Sequence, residues 1–202
     1  MKEKRSLIVL AVDNSGSMYS IEEEMESLIR NFIKKLKEDP EECYVSYYPF
    51  DNDVIQKFER EFVEVKNVGK LSMVPNGATS LYDSFHKIIN KVGDKLKGMN
   101  EENRPEKVIL IFITDGSENS SSNYTSNDIM GLISQQEQVY NWKFIYTGAN
   151  QDSFMEGKKM GFRHENISNF EPSKEGIEQM LFFITNKVDE YRKMPYYDYT
   201  KS

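Results

Sequence analysis

The stretch LIVLAVDNSGSM, residues 7–18, joins an apolar run to a loop of oxygen-bearing side chains. Its first six residues are all apolar and do not alternate with polar ones, which is typical of a strand covered on both faces. The loop carries Asp13, Ser15 and Ser17, with Gly16 between the two serines. Such residues are ordinary turn formers. The stretch alone therefore leaves two interpretations open: a plain turn, or a loop that directs three oxygens toward a ligand.

Apolar runs and amphipathic patterns alternate along the chain. Strands are predicted at residues 7–12, 44–50, 108–113 and 144–146, and the run VILIFI at 108–113 is as continuous as the first. Helices are predicted where apolar residues recur at helical spacing, at 25–36, 81–96, 129–140 and 177–191. Strands that alternate with amphipathic helices indicate βαβ units. We therefore expect an α/β fold with a mostly parallel sheet between two layers of helices.

One segment interrupts this alternation. Turn residues at 51–53 separate two strand-like runs, YVSYYPF at 44–50 and VIQKF at 54–58. They predict a hairpin that adds one antiparallel edge strand. A last short strand is expected to follow the polar segment RHENIS at 163–168, so the sheet should have six strands.

The composition limits the classes of protein to consider. A chain of 202 residues with 38% hydrophobic and 29% charged residues suits one soluble domain. Its net charge of −7 disfavours nucleic acid as a general partner. The opening MKEKRSLIVLAVD imitates a signal peptide, but its apolar part ends after six residues, and no other run approaches the ~20 residues of a membrane span. With one cysteine, Cys43, the expected location is the cytoplasm, without a membrane partner.

Further oxygen donors lie where two other loops are expected to meet the first. The strand at 108–113 is followed by Thr114 and then by Asp115. Thr79 lies in the loop GATS, residues 77–80, before a predicted helix. Ligands of open parallel sheets bind beyond the carboxyl ends of the strands. Two carboxylates and three hydroxyls suit a hard cation, and they suit Mg²⁺ or Mn²⁺ better than Ca²⁺, which usually takes more carboxylates.

The order DxSxS, then a loop threonine, then a strand-ending aspartate resembles the metal-ion-dependent adhesion site of the von Willebrand factor A domain family. The resemblance covers the chain to about Arg192, so we expect a Rossmann-like, three-layer A domain at 1–192 and a tail at 193–202. The run FIYTGANQD at 144–152 further resembles small stand-alone bacterial proteins of the family.

This resemblance implies a role for each site residue. Ser15 and Ser17 coordinate the ion directly, and Thr79 does so directly or through water. Asp13 and Asp115 hold the ion partly through waters and orient the hydroxyls. The last metal position is left for an Asp or Glu of a protein partner. Specificity is expected from the loops around Ser17, Thr79 and residues 117–127, and the helix at about 174–192 is expected to shift when the metal shell rearranges.

Other interpretations exist for each element. Thr79 or Ser80 could cap a helix, together with Asp83, which we assign to capping. The ion could be purely structural, in an assembly subunit whose contact surface lies elsewhere, for instance in the aromatic tail. A Mg²⁺-dependent phosphatase of the haloacid dehalogenase type would need a second Asp two residues after the first, and Ser15 stands there.

Catalytic motifs are otherwise missing from the sequence. Neither GxSxG nor GxxxxGK[ST] occurs. Zinc is disfavoured because only His86, His164 and Cys43 could supply nitrogen or sulfur. By its position on the helical wheel, His86 is expected at the boundary of its helix's apolar face. The sequence therefore predicts a metal-dependent binding module and not an enzyme, while partner identity and oligomeric state stay open.

Overall fold

A six-stranded sheet forms the middle layer of the computed structural model, which describes residues 2–52, 59–115, 118–149 and 152–195. The strands are β1 (Lys2–Asp13), β2 (Glu42–Phe50), β3 (Arg60–Glu64), β4 (Pro105–Thr114), β5 (Lys143–Ala149) and β6 (Ile167–Phe170). The helices are α1 (Glu22–Glu38), α2 (Leu81–Lys97), α3 (Ser126–Tyr140), α4 (Asp152–Lys159) and α5 (Lys174–Lys193). Short 3₁₀ turns occur at Gly16–Ile21, Val65–Asn67, Glu101–Asn103 and His164–Asn166.

The strands lie in the order β3-β2-β1-β4-β5-β6. All neighbours are parallel except β2 and β3, which are antiparallel. The predicted architecture, mostly parallel with one antiparallel edge strand, is therefore confirmed. The antiparallel strand itself is Arg60–Glu64, whereas the strand predicted at 54–58 lies outside the described residues.

The continuous apolar run of β1 is explained by burial on both faces. Ile8, Leu10 and Val12 pack in a core cluster that includes the apolar faces of α1 and α5. Leu7 and Val9 pack in a second cluster with α2 and α3 on the opposite face. All five side chains are at most 1% exposed. A strand in this position has no solvent face, so it gains nothing from alternating polar residues.

The predicted helices form, and their apolar faces are those that the spacing indicates. The buried residues of α1 are the apolar ones that recur at helical spacing within the predicted range 25–36: Met25, Leu28, Ile29, Phe32, Ile33 and Leu36. Helix α4 was not predicted, because its eight residues span only about two turns, too few for a helical period to show. The proposed tail is described only to Pro195, and residues 196–202 lie outside the described part. Among the described helices, none combines the length and the apolar character needed to span a bilayer.

Candidate metal centre

The strand order places the candidate site at a point where the chain changes direction across the sheet. From β1 the chain passes to β2 on one side, and later to β4 on the other side. The carboxyl ends of β1 and β4 are therefore adjacent, and the connections leave them in opposite directions. Such a point creates a crevice in open α/β sheets, and ligands bind there. Asp13 ends β1, and Asp115 follows Thr114, the last residue of β4.

Asp13 is held by its own loop and by the neighbouring strand. One carboxylate oxygen accepts a hydrogen bond from the Ser15 backbone N–H at 2.8 Å, and the other accepts one from the Thr114 hydroxyl at 2.5 Å. The side chain is fully buried. These contacts fix the carboxylate and turn the loop so that Ser15 and Ser17 lie on one side of it.

The two serine hydroxyls and Asp115 continue this arrangement toward solvent. Ser15 Oγ lies 3.1 Å from Ser17 Oγ, and the Ser17 hydroxyl donates to Asp115 Oδ1 at 2.8 Å. Ser17 is exposed, whereas Ser15 is buried. Adjacent ligands of an octahedral Mg²⁺ lie about 2.9–3.0 Å apart, since each is about 2.0–2.1 Å from the ion. The spacing of the serine oxygens therefore suits neighbouring vertices of such a shell.

The loop of Thr79 is fastened to the serine loop by backbone contacts. The Gly16 N–H donates to the Gly77 carbonyl at 3.0 Å, and the Asn76 N–H donates to the Asn14 carbonyl at 2.8 Å. Thr79 is buried, and its backbone N–H donates to Asn119 Oδ1 at 3.1 Å. The structure thus brings the Thr79 loop against both the serine loop and the loop after β4.

Two asparagines that sequence reasoning missed hold this loop in shape. The Asn14 side chain is fully buried and bonds both backbone groups of Val74, donating to the carbonyl at 2.7 Å and accepting from the N–H at 2.9 Å. Asn52 Oδ1 accepts from the Ala78 N–H at 3.2 Å and lies 2.0 Å from where a Cβ on Gly77 would be. Gly77 also has φ of +72°, so only glycine suits this position. The signal in the sequence was NG at 76–77, a turn dipeptide.

The two carboxylates carry an electrostatic cost that a cation would offset. Burial raises the pKa of Asp13 to about 6, although hydrogen bonds from Thr114 and Ser15 oppose the shift and the Asp115 charge adds to it. Burial also raises the pKa of Asp115. Across the described residues, no cluster of three or more His, Cys, Asp or Glu side chains could hold an ion. The site is hence rich in hydroxyls and poor in acids, and its all-oxygen donors fit a hard divalent cation.

The structure corrects the capping role assigned to Asp83. Ser80 precedes α2 but makes no capping hydrogen bond with its side chain, and its hydroxyl lies 2.8 Å from Ser120 Oγ instead. Glu118 accepts a hydrogen bond from the Tyr82 N–H, in the first turn of α2. The Asp83 carboxylate accepts four hydrogen bonds from the loop at 122–124. The capping prediction was wrong because this loop folds back over the start of α2, which local sequence does not reveal.

These four hydrogen bonds determine the charge state of Asp83. Burial alone would raise its pKa, but the donors in the loop at 122–124 together hold the pKa below its usual value. An ionised Asp83 therefore fixes the polar loop beside Thr79. His86 is half-buried, as expected for a boundary residue, and stacks on Tyr124 of this loop at 3.4 Å between ring centroids. His164 is exposed.

Solved structures of similar fold include adhesive and matrix proteins. Proximal thread matrix protein 1 from the mussel byssus matches at 15% identity and a TM-score of 0.64, over 94% of this chain and 47% of that chain. A structure of the same protein with a zinc-occupied MIDAS motif, where MIDAS denotes the metal-ion-dependent adhesion site, has 15% identity and a TM-score of 0.62 over 92% and 46%. The open conformation of the pilus adhesin SpaC from Lactobacillus rhamnosus GG has 15% identity and a TM-score of 0.67 over 96% and 30%.

These likenesses concern the fold, and the chain spans less than half the length of each of these proteins. No curated protein matches the sequence. The model of the von Willebrand factor type A domain matches residues 8–186, which include the whole of the candidate site. From this match and the six-stranded fold, the chain belongs to the von Willebrand factor type A domain family.

Proposed function

We propose that this chain is a metal-dependent protein-binding module. Asp13, Ser15, Ser17, Thr79 and Asp115 hold Mg²⁺, or Mn²⁺ in its place, and the bound ion captures an Asp or Glu side chain of a partner. One observation carries the proposal: the hydroxyls of Ser15 and the exposed Ser17 lie 3.1 Å apart between two carboxylates, because the Ser15 backbone N–H donates to buried Asp13 and the Ser17 hydroxyl donates to Asp115. Neutral hydroxyls would leave the ion electrophilic, so an anionic side chain is its natural last ligand.

The surface around the site supports binding of a protein. Tyr19 lies two residues after Ser17 and is 75% exposed, whereas Met18 and Ile21 in the same turn are buried. Val74, whose backbone Asn14 holds, is 51% exposed. Aromatic residues such as tyrosine are enriched at protein interfaces relative to the rest of the surface. We infer that the partner presents its acidic residue next to apolar ones.

A catalytic role has less support. In the proposed set, Ser15 stands where a phosphatase would need its general acid, and a serine hydroxyl does not supply that proton. The remaining alternative is a structural ion, which the buried Asp13 favours, since neutralising its charge would stabilise the fold. Both roles of the ion, capture of a partner and stabilisation of the fold, agree with a free, buried Cys43 and with the cytoplasmic location that we expect.

Metal titration tests the ion and its ligands. We expect Mg²⁺ at about 100 times its Kd to stabilise the domain by ~2.7 kcal/mol, which raises the Tm by roughly 5 to 11 °C for a chain of this length. Mn²⁺, Ca²⁺ and Zn²⁺ should be compared by calorimetry and thermal melting. Asp13→Ala and Ser17→Ala should lose the shift. Ser20→Ala is the matched control, because the Ser20 hydroxyl is exposed on the same turn and its 3.4 Å hydrogen bond goes to the Ser17 backbone carbonyl and not to a proposed ligand oxygen.

Partner capture separates the adhesive role from the structural one. The domain is used as bait in lysate of its native cells, with Mg²⁺ and with EDTA, and its folding is followed by circular dichroism in both buffers. Loss of the partner by a folded domain supports the adhesive role, whereas melting in EDTA supports the structural role. Recovery of the same proteins by wild type and Asp13→Ala in both buffers would contradict any role for the ion in binding.

A further inference from the structure

A second surface of the domain combines positive charge with an apolar floor. It is a groove of about 450 Å³ between α1 and the segment 68–71, which we call the basic groove. Arg30, Lys34 and Lys37 line one side of it, and Lys70 lines the other. Lys34 lies ~18 Å along the axis of α1 from Glu22, where the helix leaves the edge of the sheet that carries the metal centre. The basic groove is therefore separate from the centre already described.

The cations are arranged on one face and reach solvent. Arg30, Lys34 and Lys37 recur at helical spacing, so they share a face of α1, and all three are exposed. Lys37 donates to the Val68 carbonyl at 3.0 Å, and Lys70 forms an ion pair with Glu26 at 3.2 Å. In the part of the chain that the structure describes, Lys34 has no hydrogen bond or ion pair. This concentration of charge contrasts with the net charge of −7.

The floor of the basic groove is apolar and has room for a side chain. Ile29, Ile33, Val68 and Leu71 form it, and each is at most 7% exposed. Above the floor, a Cβ on Gly69 would meet no atom within 4 Å. An incoming apolar side chain could therefore lie over Gly69 without displacing any group, while the cations stand at both sides of it.

Two other classes of ligand fit this surface less well. Nucleic acid sites on single strands combine cations with aromatic rings for stacking, and the described residues that line the basic groove include no aromatic ring. Peripheral membrane helices insert protruding apolar side chains into the bilayer, whereas the apolar residues here are recessed. Charge complementarity instead favours a protein segment that is acidic and carries an apolar residue.

We propose that the basic groove docks an acidic protein segment, with an apolar side chain over Gly69 and carboxylates paired to Arg30 and Lys34. This contact requires no metal ion. Partner specificity of the domain is then set at two surfaces, one at the carboxyl edge of the sheet and one along α1.

Fluorescence anisotropy of labelled peptides tests the proposal. The probe is a fluorescein-labelled EELFEE peptide, and EESSEE and KKLFKK are the comparisons. We expect EELFEE alone to bind, with an affinity that falls as NaCl is raised and does not change with EDTA. Gly69→Trp should weaken binding at least tenfold by filling the groove, while Gly131→Trp, at another glycine with open space around it, should leave it unchanged.

A charge-reversal pair gives a second test that does not depend on filling the groove. Lys34→Glu should weaken EELFEE at least tenfold, and Lys87→Glu, the same change at an exposed lysine on α2, should weaken it less than twofold. No measurable binding, equal binding of EESSEE, or equal effects within either pair overturns the proposal. Three further measurements test other occupants of the groove: self-association by sedimentation, binding to anionic vesicles and binding to single-stranded DNA. If Gly69→Trp abolishes one of these and leaves peptide binding unchanged, the proposal is overturned.

Discussion

Replacement of Asn14 by alanine should show how far the metal centre depends on one buried clamp. The Asn14 side chain makes two hydrogen bonds to the Val74 backbone, at 2.7 and 2.9 Å, and is itself fully buried. Each neutral hydrogen bond contributes ~0.5–1.5 kcal/mol net when its partner can return to water. Val74 is 51% exposed, so water can reach its freed groups. We therefore expect a loss of about 1–3 kcal/mol in the free energy of unfolding.

The loss is measured by urea unfolding of the metal-free protein and by thermal melting. For a domain of this length it corresponds to a fall in Tm of roughly 2 to 12 °C. The clamp connects the serine loop to the loop that leads to Thr79, so we expect about half of the lost free energy of unfolding to appear as lost binding energy for Mg²⁺. The Mg²⁺ affinity measured by calorimetry should then fall by roughly two- to tenfold. Asn90→Ala is the control, since Asn90 is exposed on α2 and bonds only within its helix in the described contacts.

Two results would refute this reasoning in different places. If Asn14→Ala unfolds like Asn90→Ala, the clamp contributes no stability, and the contacts to Val74 are not maintained in solution. If stability falls as expected but Mg²⁺ affinity is unchanged, the clamp is structural only, and the Thr79 loop does not need it to reach the ion.

Three further outcomes follow from the structure. The folded-state pKa of Asp83 lies below its ordinary value of 3.8, because the donors at 122–124 outweigh the effect of burial. The ionised carboxylate therefore stabilises the fold above pH 3.8, and this stabilisation is lost as the pH falls through the folded-state pKa. In urea unfolding between about pH 5 and pH 2.5, Asp83→Asn should make the free energy of unfolding fall less steeply with acid than it does in the wild type. Gly176→Ala should lower the Tm, because its Cβ would lie 2.2 Å from a backbone carbonyl, whereas Gly131→Ala, in open space on α3, should stabilise by ~0.5–1 kcal/mol in the same melts. Burial raises the pKa of the Cys43 thiol, so it should react with a thiol reagent at pH 7 only when denaturant unfolds the domain, and rapid labelling of the native protein would contradict its burial.

Predictions for the sheet and the helices rested on local patterns, and they held where the pattern was long. Continuous apolar runs at 7–12 and 108–113 marked the two central strands, because a strand with helices on both faces has no polar positions. Helices α1 and α2 have 17 residues each, enough turns for the period to be unmistakable. Helix α4, with eight residues, and the antiparallel strand β3, with five, offered too little pattern.

The candidate site divides in a similar way. Asp13, Ser15 and Ser17 could be chosen from sequence because they follow a recognisable strand end, and Asp115 for the same reason. Asn14, Asn119 and Thr114 could not be chosen. Their role is to bond across 60, 40 and 101 positions of the chain, respectively. Nothing in the type of these residues distinguishes such contacts from an ordinary turn or a strand end.

The sequence by itself determined the layers of the fold and the chemistry of the donors, since burial sets which positions are apolar and the side-chain types set which cation is suitable. Tertiary structure alone decided the geometry. It placed Ser17 Oγ 2.8 Å from an Asp115 oxygen, although 98 positions separate the two residues, and it turned Asp83 from the helix start to the loop that covers it. The physical reason is that strand order and loop packing depend on contacts between distant segments, which local propensity and periodicity do not encode.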